Sequence, residues 1–200
     1  MTIEELKSLR DTTFAPGLKG VFSIYPLKEV LCEKGSVFSL ILSFLFSLCL
    51  FFFPEMQVKY IEQVVDLVFL IIPAILGLSL SGFAIVISQV TDDKLKKTGK
   101  ISEGKSYSIY QKTNSVFAIT VLAQFSILFI SLLIKLFMPL TLLIPVPITL
   151  ALYGNSFFLF LLITLFIYAL VITIDLVKNI FTSGQIVNLL SITDEIKQKE

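Results

Sequence analysis

Four long apolar blocks, separated by charged or proline-rich breaks, set the pattern of this chain. The most informative is Tyr60–Val90, YIEQVVDLVFLIIPAILGLSLSGFAIVISQV, which carries no charge from Leu67 through Thr91. A helix rises ~1.5 Å per residue and the hydrocarbon layer is ~30 Å thick, so about 20 apolar residues cross it. The block therefore predicts a span over residues 61–90 that emerges from the lipid at one end. Ala74, Gly77, Ser81, Ala84 and Ser88 recur at intervals alternating between three and four, which puts them on one helical face. A seam of small residues lets a second helix approach closely. It is expected to pack against another span of the chain or the same span of a second copy, with Phe83 facing lipid. Pro73 removes a backbone donor beside the seam and predicts a kink.

The other blocks complete an all-α plan of four transmembrane helices. Residues 35–53 are uncharged and end at Pro54. Their serines Ser36, Ser39, Ser43 and Ser47 form a stripe, expected to bond back to carbonyls or pack on another helix rather than line a water path. A third span is predicted over residues 116–138, with Thr120, Gln124, Ser131 and Lys135 on one face. From Leu136 to Ile174 there are 39 residues without a charge. As one helix that is ~58 Å, nearly two membrane thicknesses. Pro139, Pro145, Pro147 and Gly154-Asn155-Ser156 are expected to break it. Residues 139–156 then form an interfacial or re-entrant hairpin and residues 157–177 the fourth span, with Thr164, Tyr168 and Asp175 on one face. Thr2 and Glu5 match a capping box, predicting a short amphipathic surface helix that carries Ile3, Leu6 and Leu9.

Charge orients the plan. The tail 1–34 holds 5 Lys/Arg, the loop 91–115 holds 6, and the tail 178–200 holds 3, so 14 of 16 fall on one side. The positive-inside rule then expects both termini and the central loop in the cytoplasm. Reporters fused at residue 1, near Gly99 and at residue 200 should read cytoplasm, and one near Tyr153 periplasm. A periplasmic reading near Gly99 would end the four-span plan.

Composition narrows the chemistry. The chain is 56% hydrophobic, with mean hydropathy +0.91, and residues 1–200 read as one membrane domain. Net charge +1 gives no reason to expect direct nucleic-acid binding. Histidine is absent, which removes the commonest general base and metal ligand. Cys32 and Cys49 lie ~25 Å apart on one helix and cannot bond within the chain. No nucleophile, acid and base converge by spacing, so the reading is non-enzymatic, without cofactor or metal. Asp66 and Lys135 are the informative charges, placed at similar depth in spans two and three. They are expected to pair, or else to border a polar site with Glu62, which precedes Asp66 by one turn. Gln124 is expected to bond to a neighbouring span and Asp175 to reach the headgroups with Lys178. Lys94, Lys96, Lys97 and Lys100 read as a topology determinant and lipid contact, or as a docking site for a soluble protein.

The run LGLSLSGFAIVIS followed by DDKLKK resembles the glycine-bearing second span of small four-span membrane proteins of bacterial antiphage defence, nearest the KwaA-type membrane subunits of Kiwa systems. The resemblance covers size, span count, termini and this one run, and it assigns no functional residue. It implies a homo-oligomer in the bacterial inner membrane that docks a soluble DNA-binding or effector partner on its cytoplasmic face. An ion-conducting or depolarising effector is the other expectation.

Overall fold

A computed structural model of the chain describes residues 17–24, 26–88, 109–141 and 147–199. These residues form α1 (Leu18–Ile24), α2 (Leu27–Cys32), α3 (Lys34–Phe51), α4 (Pro54–Ser88), α5 (Ile109–Thr141) and α6 (Ile148–Lys199). The last four are long and apolar enough to cross a membrane. Helix α3, with 18 residues, is ~27 Å long, close to one hydrocarbon thickness. Helices α4, α5 and α6, with 35, 33 and 52 residues, all exceed it. The amphipathic helix expected near Thr2 and the lysine loop at Lys94, Lys96, Lys97 and Lys100 lie outside the described residues.

Helix α3 shows why the fold needs lipid around it. Its buried residues are Ser36, Ser39, Ser43, Ser47 and Leu50, while Phe38, Ile41, Phe44 and Leu45 are exposed. That polarity is inverted relative to a helix that faces water. The serines are satisfied inside: Ser39 Oγ donates to the Ser36 carbonyl at 2.7 Å and Ser43 Oγ to the Ser39 carbonyl at 2.6 Å. Ser47 Oγ donates across to the Ser156 carbonyl on α6 at 3.0 Å. A Cβ built on Gly35 would lie 2.5 Å from Val171 Cγ1, so the α3 backbone also sits tightly on α6 at that end. Gly35 faces Val171 and Ser47 faces Ser156, so the two helices run antiparallel.

The helices form two packed groups. In the first, Cys32–Leu78 with Thr120–Ile174, a core of Leu50, Ile61, Val65, Val68, Ile72, Ile127, Leu159 and Leu162 joins all four long helices. The α4 contribution recurs at Gln57, Ile61, Val65, Val68 and Ile72, the three-and-four spacing of one face. Gln57 closes the α3–α4 turn, donating from Nε2 to the Leu50 carbonyl at 3.3 Å and to Ser156 Oγ at 2.8 Å. The second group is Met1–Leu31, Ser79–Ile119 and Asp175–Glu200. There the Phe83 and Phe117 rings stack 3.7 Å apart, and Thr113 and Ser183 hydroxyls lie 3.4 Å apart.

Three expectations change. Pro139 does not end its helix, which runs on to Thr141. So close to a helix end, a proline removes a bond only from the last turn. Gly154-Asn155-Ser156 does not break α6, which is helical from Ile148 onward. Backbone groups in lipid have no water to turn to, and Ser156 is held by Ser47 and Gln57. Helix thus occupies both ends of the stretch 139–156, and residues 142–146, in the middle of the expected hairpin, lie outside the described residues. Phe83, expected to face lipid, is half-buried in its stack on Phe117.

Candidate functional site

The charges singled out in the second and third spans meet on one cleft in the first helix group. Lys135 Nζ on α5 donates to Asp66 Oδ1 on α4 at 2.7 Å. The same ammonium lies 5.6 Å from the centre of the Phe69 ring, one turn along α4 from Asp66, a cation–π distance. Local helix geometry explains the arrangement. Val65 and Val68 turn into the core and Asp66 lies between them, on the side of α4 left open. Lys135 follows fully buried Ser131 by one turn and ends the polar face of α5, where its stem reaches out of the packing.

The pair borders a cleft of about 660 Å³ between α4, α5 and the first turns of α6. Glu62, Asp66 and Lys135 form its charged wall, Asn155 adds an amide, and Met138 and Phe158 are among its apolar residues. A further groove of about 300 Å³ continues past Leu133 and Phe137 and is apolar apart from Asn155. Gly154 keeps the α6 wall recessed, since a Cβ there would meet nothing within 4 Å. Two carboxylates face one ammonium, which leaves one negative charge in excess. Asp66 is engaged by Lys135, whereas Glu62 has no ion-pair or hydrogen-bond partner among the described residues. The wall can therefore accept a cation at Glu62, and Lys135 retains N–H donors for an anion.

The remaining sequence candidates are dispersed. Gln124 is fully buried, and its Nε2 donates to Thr173 Oγ1 on α6 at 2.8 Å. It therefore joins two spans within one chain. Thr173 in turn donates to the Ala169 carbonyl at 2.6 Å. Asp175 pairs with Lys178 one turn further on at 3.0 Å. Ala74, Gly77, Ser81, Ala84 and Ser88 are all exposed, so the seam is not buried by the other described residues. Sequence reasoning missed Gln57, Ser156 and Thr173. Gln57 continues the buried stripe of Ile61 and Val65 one turn earlier, which is the signal that would have placed it inside. Comparison with protein-family models, curated proteins and solved structures finds no match for the chain.

Proposed function

We propose that this chain is a non-enzymatic membrane subunit that assembles with copies of itself through the small-residue face of α4. In this reading it sits in a bacterial inner membrane with both termini and the 91–115 loop in the cytoplasm. Its cytoplasmic face docks a soluble DNA-binding or effector partner, as the resemblance of its second span to antiphage membrane subunits implies, and Lys94, Lys96, Lys97 and Lys100 serve there as docking or lipid contacts. One observation carries the self-association: Ala74, Gly77, Ser81, Ala84 and Ser88 stay exposed while the other side of the same helix supplies core residues. Exposed bulky residues are satisfied by acyl chains. A strip of small residues gains more from a second helix, whose backbone can come close.

Cysteine at Ser81, with Cys32 and Cys49 replaced, should crosslink between chains. Cysteine at Phe129, exposed on α5, should not. Equal crosslinking at both positions, or none at Ser81 in an oligomer stable on native gels, rules the seam out. Loss of the chain should raise phage plating on its host. Gly77→Leu should do the same while the protomer stays folded.

The second reading, an ion-conducting or depolarising effector, is favoured by one observation. Glu62 has no partner among the described residues, and with Asp66 it stands on the exposed α4 side that leads to the seam. Assembled copies would gather those carboxylates around a vestibule that selects cations. A membrane-potential dye separates the readings, since a docking subunit leaves the potential unchanged on expression.

A further inference from the structure

We infer that the cleft between α4, α5 and α6 is a binding site for a phospholipid with a primary ammonium headgroup, of the phosphatidylethanolamine class. The inference stands independently of self-association and docking, because every residue of the site belongs to one chain and one helix group.

Charge comes first. Glu62 offers a carboxylate without a partner, and Lys135 offers an ammonium of which one N–H is used by Asp66. Glu62 and Asp66 are successive positions on one helical face, so the free negative charge and the held positive charge are about one turn apart. A zwitterionic headgroup carries an ammonium and a phosphate joined by a two-carbon bridge, which matches that spacing and order. The ammonium sits on Glu62 and the phosphate faces Lys135. A primary ammonium can donate N–H hydrogen bonds to the Glu62 carboxylate, which a quaternary ammonium cannot.

Shape comes second. A cleft of about 660 Å³ is in the range of small-molecule sites, larger than a headgroup alone requires. The charged wall is on one side, and the groove past Ile134, Phe137, Met138 and Phe158 leads away from it along apolar surface. That is the division an amphiphile needs, with its headgroup at Glu62 and Lys135 and an acyl chain along the groove. A soluble cation or anion would leave the groove unused.

The test is native mass spectrometry of the purified full chain in detergent. It is titrated with short-chain phosphatidylethanolamine, phosphatidylcholine and phosphatidylglycerol. Phosphatidylethanolamine should bind one per chain, about tenfold tighter than phosphatidylglycerol, the scale of one charge-assisted hydrogen bond. Glu62→Gln should remove that preference. Glu62 is exposed, so lipid-free thermal stability should not change. Gly154→Leu should plug the cleft and weaken both lipids, because its side chain enters open space. Equal affinities for phosphatidylethanolamine and phosphatidylglycerol would overturn the assignment. So would phosphatidylcholine binding as tightly as phosphatidylethanolamine, or an unchanged preference in Glu62→Gln.

Discussion

Gly35→Leu is expected to lower the folded yield and thermal stability of dispersed, purified protomers sharply, while Gly77→Leu leaves both unchanged. A Cβ at Gly35 would stand 2.5 Å from Val171 Cγ1 and 3.6 Å from Val171 Cβ. Real Cβ atoms essentially never meet a heavy atom at the shorter distance. Valine in a helix is held near one rotamer, so Val171 cannot swing aside cheaply. The helices must part instead, and parting strains the antiparallel α3–α6 contact that ends in the Ser47–Ser156 hydrogen bond. Overpacking costs about 1–3 kcal/mol, and leucine brings more atoms than the Cβ alone. Gly77, by contrast, has nothing within 4 Å of a built Cβ. Adding Val171→Ala to Gly35→Leu should restore part of the loss, because it removes the atom that clashes. No rescue by Val171→Ala, or an equal loss from Gly77→Leu in dispersed protomers, would show that α3 does not pack on α6 through Gly35.

The contrast between these two glycines shows what the residue pattern can carry. Four spans were legible because apolar blocks of sufficient length admit few other readings, and the serine stripe of α3 was legible because helical spacing aligns it. The partner of a face is another matter. Gly77 belongs to a regular seam and Gly35 and Gly82 to none, yet it is at these two that a built Cβ would crowd a side chain of the chain, Val171 Cγ1 at 2.5 Å and Ile180 Cδ1 at 2.9 Å. Small residues mark where helices can come close, and only the packing of the remaining side chains selects where they do. Helix ends were misjudged for a related reason. Proline and glycine end helices readily in water, where the freed backbone groups are solvated. Here Pro139 sits too near a helix end to matter, and Ser156 is tied into α6's neighbours from both its carbonyl and its hydroxyl. Of the site, the Asp66–Lys135 pair was readable from depth alone. The α6 wall, with Asn155 and Gly154, was not, since it depended on the helix continuing through that stretch.

Asp66→Asn should lower stability alone and regain most of the loss when combined with Lys135→Gln. The two charges are 2.7 Å apart, with Lys135 59% and Asp66 66% exposed. In water such exposure would leave an ion pair of this kind worth about 0.2–1 kcal/mol. The surroundings here are a cleft with apolar residues on a membrane helix group, where a lone ammonium is worse off than in water. Polar contacts between membrane helices average about 0.6 kcal/mol and reach about 1.7. The single variant leaves Lys135 charged beside Phe69 and a neutral amide, with the Glu62 carboxylate of the same wall about one turn away, so its loss should stay within that range. The double variant removes both charges and keeps similar shapes, so its loss should be smaller than the single loss. Glu62→Gln with Lys135→Gln is the control on the same face. In detergent without added lipid their coupling should be smaller than that of Asp66 with Lys135, since no ion pair or hydrogen bond joins Glu62 to Lys135 among the described residues. The readout is thermal unfolding of all variants in one detergent. Additive losses in Asp66→Asn with Lys135→Gln would mean that the 2.7 Å contact contributes nothing to holding α4 against α5, and the charged wall would then owe its form to the apolar core beneath it.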